Sequence, residues 1–163
     1  MIRIVTESMS DFTQEEAKAA DLIVMPLPIR FGMEEYWDDG VSLTQDDFYA
    51  RLRVAKELPK TSQVPVEHYR KCFNRLLENP EDEVLVITGS SKLSGCYQSA
   101  CIAREACHDP ARVTVLDSLN ATCAEYMLVD QALRYRREGV SDADHAGEAA
   151  RRDGALQNHR HGG

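Results

Sequence analysis

The sequence predicts an α/β fold, a mostly parallel sheet with helices on both faces, and three observations carry that prediction. Short apolar runs alternate along the chain with longer stretches whose apolar residues recur at helical spacing. Three of the runs end in hydroxyl-rich segments that then open a helical pattern: Ile2-Arg3-Ile4-Val5 into Thr6-Glu7-Ser8-Met9-Ser10, Val84 to Ile87 into Thr88-Gly89-Ser90-Ser91, and Val113-Thr114-Val115-Leu116 into Asp117-Ser118-Leu119-Asn120. At 163 residues the chain is long enough for one domain with a real core. Ligands of such sheets sit beyond the carboxyl ends of the strands, where these hydroxyls fall, so one shared crevice is expected.

Taken in order, a strand over 2–6 leads to a helix from Thr13 to Ala20 and a second strand through Leu22-Ile23-Val24-Met25. Pro26 and Pro28 cannot donate to a ladder, which places 26–31 at a sheet edge or on an arm leaving it. Glu34 to Gly40 reads as a hairpin-like turn carrying Trp37. Thr44, followed by Asp46 and Asp47, caps a helix that ends before Leu58-Pro59. Lys60 to Pro65 is extended, because the residue before a proline is pushed out of the helical region. From Pro65 a helix carries Tyr69, Cys72, Phe73, Leu76 and Leu77. A strand over 83–88, a helix from Ser94 to His108, a strand over 112–116 and a long helix from Ala121 to Arg137, closed by Gly139, complete the pattern. Residues 141–163 offer little to a core and are expected to be poorly ordered.

The formal net charge of −8 argues against a nucleic-acid surface, which needs a concentrated basic face. No apolar stretch reaches the ~18–20 residues that span a bilayer, and the N-terminus lacks a signal-peptide layout, so the expectation is a cytoplasmic protein. The five cysteines show no Cys-x-x-Cys pair and read as free thiols. Cys96, in the first turn of a helix, is expected to have a lowered pKa. Asp11, Asp38, Asp39 and Asp117 lack ligand spacing, so no metal is expected. Lys92 has no phosphate-loop context and reads as solvent-exposed. Ser94 lacks the Gly-x-Ser-x-Gly elbow of a hydrolase nucleophile and no motif ties a histidine to it. Ser94 reads instead as a cap and an anion donor.

Seven landmarks carry a family resemblance over about residues 2–140: Ile4-Val5-Thr6-Glu7-Ser8 with Asp11, Pro26-Leu27, Tyr36 to Gly40, Phe48-Tyr49 with Leu52, Pro59 to Gln63, Ser90 to Ala100, and Val115 with Asp117-Ser118. In these the chain resembles the N-terminal domain of the DegV family of bacterial fatty-acid-binding proteins. The resemblance implies a non-enzymatic, two-domain carrier without a cofactor, enclosing one long-chain fatty acid. In some members the carboxylate is presented to a separate fatty acid kinase, the second partner implied. Carried over by position, Thr61 and Ser94 are the carboxylate ligands, with Ser62 and the backbone amide of Gly95 beside them. Donor-only hydroxyls and amides suit a carboxylate. Glu7 stands where the family usually has aspartate, and Cys96 where threonine is usual.

The resemblance covers residues 1–140 as one N-terminal domain, leaves 141–163 as a divergent tail and finds no second, lipid-closing domain, as in a truncated or frameshifted reading. A rival reading is an enzyme acting on a small phosphorylated or carbonyl substrate, since the family's fold resembles a domain of dihydroxyacetone kinases. The chain offers that rival no nucleotide loop.

Overall fold

The computed structural model describes residues 1–139; the expected tail over 141–163 lies outside the described residues. In chain order the elements are β1 (Ile2–Glu7), α1 (Gln14–Ala19), β2 (Leu22–Met25), β3 (Pro28–Phe31), β4 (Glu34–Trp37), α2 (Gln45–Val54), β5 (Lys60–Thr61), α3 (Val66–Leu76), β6 (Glu83–Thr88), α4 (Cys96–Glu105), β7 (Val113–Asp117) and α5 (Cys123–Glu138). A short 3₁₀ turn, Ser8–Ser10, follows β1. The α/β expectation holds: β2-β1-β6-β7 form a wholly parallel sheet.

Alternation along the central strands builds two cores, because successive side chains leave opposite faces. Val5, Val84 and Val86 meet Tyr69, Phe73 and Leu76 of α3 and Ala100 and Ala103 of α4. On the other face Ile4, Leu85 and Ile87 meet Ala17 of α1 and Val129, Ala132 and Leu133 of α5. Thr13 caps α1 in a reciprocal box with Glu16, Thr44 caps α2, and Gly139 closes α5 at φ +72°.

The segment with the two prolines differs from its expected path. It is the middle strand of a second, antiparallel sheet of order β4-β3-β5. Pro28 is tolerated as the first residue of β3, where it contributes only its carbonyl, accepting the Ser62 N–H at 3.2 Å. The expected hairpin turn over 34–40 is likewise shifted: Gly32, at φ +60°, makes the turn and Glu34–Trp37 is strand. Ser94 and Gly95 precede α4 rather than lying within it. Among the described residues no helix is long and apolar enough to cross a membrane.

Candidate functional site

Parallel order brings the carboxyl ends of β1, β6 and β7 side by side, and with them the three hydroxyl-rich segments. Most of these hydroxyls are spent on the fold. The buried Ser10 hydroxyl donates to the Glu7 carbonyl at 2.7 Å, and buried Thr88 donates to the Leu116 carbonyl at 3.2 Å. The Ser90 hydroxyl accepts the Lys92 N–H, and that of Ser118 accepts the Asn120 N–H. Asp117 ties two loops together, its Oδ1 accepting the N–H groups of Ser91 at 3.1 Å and Leu119 at 3.0 Å. Leu119 and Thr122 take φ of +54° and +53°, a conformation held in part by the Thr122 N–H donating to the Met9 carbonyl.

Beneath these loops lies a buried floor of carboxyls. Glu7 and Glu125 are both fully buried. Glu7 accepts the Gly89 N–H through Oε1 and the Tyr69 hydroxyl at 3.5 Å through Oε2. Glu125 lies beside Glu7 and accepts the Thr6 hydroxyl at 3.2 Å. Burial pushes Glu7 up to about 7; burial and then the Glu7 charge push Glu125 up to about 9. Gly89 packs directly on the pair: a Cβ there would sit 2.5 Å from Met9 Sδ, 2.9 Å from Glu7 Oε1 and 3.1 Å from Glu125 Oε2. Only glycine fits.

The rim forms where the extended segment after β5 docks on the start of α4. A Cβ on Gly95 would lie 3.1 Å from Gln63 Cδ and 3.3 Å from its Oε1, so the Gln63 side chain packs against the Gly95 backbone. The Val64 N–H donates to Cys96 Sγ at 3.4 Å. Ser94 Oγ accepts the Cys96 N–H at 3.2 Å, and its side chain also hydrogen-bonds the Cys96 thiol. Thr61, paired with Ile29 of β3, and Ser62 are exposed, and Ser94 and Gly95 half-buried. The four residues singled out in the sequence thus lie on two segments that meet. Lys92 is exposed, as expected. Leu93 stands 72 % exposed beside Ser94.

Cys96 corrects an expectation. Burial, then the nearby Glu7 charge, push its thiol up, not down. A helix start lowers a thiol's pKa only where the thiolate is solvated or paired with positive charge, and here its neighbours are Tyr69 and an acid. Trp37 is half-buried, its ring 5.1 Å from that of His68. All five cysteines are free. Among the described residues no group of three or more His, Cys, Asp or Glu side chains could hold a metal ion.

Comparison with known proteins gives this crevice its context. A family model described as an uncharacterised protein of the DegV family matches residues 1–151. The chain belongs to the DegV family. A DegV domain-containing protein of Caldanaerobacter subterraneus is 39% identical over 140 residues, 86% of this chain and 49% of that protein. Among solved structures, a stearic-acid-binding protein from Eubacterium ventriosum superposes with a TM-score of 0.84 at 30% identity, covering 92% of this chain and 52% of that one. A fatty-acid-binding DegV protein from Thermus thermophilus does so with a TM-score of 0.82 at 32% identity, covering the same shares. The chain spans about half the length of the curated relatives it matches.

Within this DegV fold, sequence reasoning missed Glu125, Tyr69 and Gly89. An acid in a first helical turn is expected for dipole reasons alone, and a tyrosine at helical spacing reads as core. Only the unusual Glu7 flagged the floor.

Proposed function

We propose that this chain is the carboxylate-holding part of a bacterial, cytoplasmic fatty-acid carrier and not an enzyme. Thr61 and Ser94 donate their hydroxyls to the carboxylate, and Ser62 and the Gly95 N–H complete the donor set. The observation that supports this reading is the meeting of Gln63 and Val64 with Gly95 and Cys96, which joins the segment carrying Thr61 and Ser62 to the helix start that carries Ser94. It is supported by what the solved relatives bind, stearic acid in one and fatty acid in another.

Residues 1–140 act as one domain, and the ligand's tail runs past the apolar rim beginning at Leu93. Each methylene left in water forfeits ~0.8 kcal/mol, so this chain by itself binds weakly unless the tail is covered. A carboxylate held by donors at a crevice mouth is positioned for a phosphoryl-transferring partner, a fatty acid kinase. The acidic balance of the chain argues against nucleic acid as a partner.

The test is mass spectrometry of organic extracts from the native protein and from a Thr61→Ala, Ser94→Ala double variant. A long-chain fatty acid in the first and its loss from the second are expected. A lipid-free protein whose melting temperature rises with a phosphosugar would overturn the reading in favour of an enzyme.

A further inference from the structure

Two carboxyls face each other in the dry floor, and their hydrogen bonds do not balance if both are ionised. Glu7 accepts the Gly89 N–H through Oε1 and the Tyr69 hydroxyl through Oε2, and Glu125 lies beside it. Glu125 spends Oε1 on the Thr6 hydroxyl, while its Oε2, buried near Gly89, has no acceptor or donor of its own. A proton on Glu125 Oε2, donated to Glu7, satisfies both groups and removes one of two adjacent buried charges. Two routes then lead from the pair to the rim. Through the Gly89 N–H, Glu7 anchors the first residue of the 89–95 loop. Through Tyr69, which also hydrogen-bonds Cys96, it reaches the thiol that accepts the Val64 N–H and the amide that donates to Ser94.

We propose that Glu7 and Glu125 hold a proton between them, and that this protonated pair is the positioning element of the rim, fixing the 89–96 loop and the 61–64 segment against each other. Its bearing on a fatty-acid carboxylate rests on the reading above: losing the proton adds a second negative charge beneath the donors and loosens the loop that carries Ser94.

The titratable groups facing the pair are Tyr69 from α3, Cys96 from α4 and Asp11 after the Ser8–Ser10 turn. The hydroxyl of Tyr69 and the thiol of Cys96 are themselves pushed up by burial, so across neutral pH they stay protonated and the carboxyls titrate first. Both carboxyls are raised above their unfolded values, so the folded state retains protons that the unfolded chain has lost. Stability is therefore fully present below about 4.5, declines as pH rises, and levels off above about 9. Within that window the folding equilibrium constant falls about tenfold per pH unit for each proton retained.

The experiment is a pH titration of the full chain by amide NMR, with urea unfolding at each pH, on the wild type and on Glu125→Gln. The glutamine keeps a donor toward Glu7 but has no proton to lose. Expected in the wild type are Gly89 and Cys96 amide signals that shift together above neutral pH, as stability declines. In Glu125→Gln the step near pH 9 should vanish from both signals, a Glu7 step near pH 7 remaining, and the decline should be reduced. Wild-type amides that do not move between pH 6 and pH 10, roughly the window these raised values define, would overturn the proposal, even if the variant fails to fold. A step near pH 9 that survives unchanged in a folded Glu125→Gln would also overturn it. Stearate titrations at the same pH values separate the two readings. Failure to bind stearate at any pH counts against the carrier, whereas the amide titration judges the pair. Stearate affinity that ignores the pair's titration breaks the link between them.

Discussion

The floor and the rim of the crevice stand at the same end of the same sheet and treat polar groups in opposite ways. In the floor, Thr6, Glu7, Tyr69 and Glu125 are wholly buried and bonded to one another or to Gly89. On the rim, Thr61 and Ser62 lie exposed, and Ser94 is half-buried and bonds its near neighbour Cys96. Buried polar groups must be paired because desolvation otherwise goes uncompensated; exposed ones face water and can exchange it for a ligand. The difference teaches that holding the loops and presenting donors are tasks of separate residues, so substitutions should divide them.

The sharpest way to break this division is Gly89→Ala. The added Cβ meets a movable thioether, Met9, but also the Glu7 oxygen that accepts the Gly89 N–H and the buried Oε2 of Glu125. Overpacking at so constrained a place should cost ~3 kcal/mol, the upper end for such changes. Urea unfolding should show a lowered midpoint with an unchanged slope. A variant as stable as the parent would mean that the floor yields easily, and the contrast with the rim would collapse.

The same division explains what could be read from the sequence. The parallel sheet was legible because Val84 to Ile87 and Ile4-Val5 are buried on both faces and read as apolar runs. Helix starts were legible where a local cap declares them, at Thr13 and Thr44. The rim residues were found because Thr61 and Ser94 sit in motifs whose order survives along the chain. The floor was hidden because its members are 119 residues apart at the extremes, Thr6 to Glu125, and each has an ordinary local reading. The small sheet was hidden for a different reason. Pro26 and Pro28 signal an edge or an exit, and nothing local reveals that the next strand is Lys60–Thr61.

Tyr69→Phe should have an intermediate effect. It keeps the ring against Phe73, at 5.8 Å between centroids, and removes only the hydroxyl that Glu7 and Cys96 share. Leaving a buried carboxyl short of one donor should cost ~1–2 kcal/mol. The loss should be greater at pH 8 than at pH 5, because an ionised Glu7 needs the donor more. A pH-independent loss would assign Tyr69 to packing alone.

The smallest effect on stability is expected on the rim. Thr61→Ala removes a hydroxyl that bonds to no described residue, while the ladder to Ile29 is made by backbone. Stability should stay within ~0.5 kcal/mol. Ser94→Ala should cost somewhat more, up to ~1 kcal/mol, because its Oγ caps the Cys96 N–H at the start of α4. The two variants thus rank by how much of the fold each hydroxyl serves, while both should lower the fatty acid recovered with the protein. A Thr61→Ala chain as destabilised as Tyr69→Phe would mean that the exposed hydroxyl belongs to the fold after all. The reverse outcome, full stability with the lipid lost, would sharpen the division to one residue: the donor the fold leaves free is the one the ligand uses.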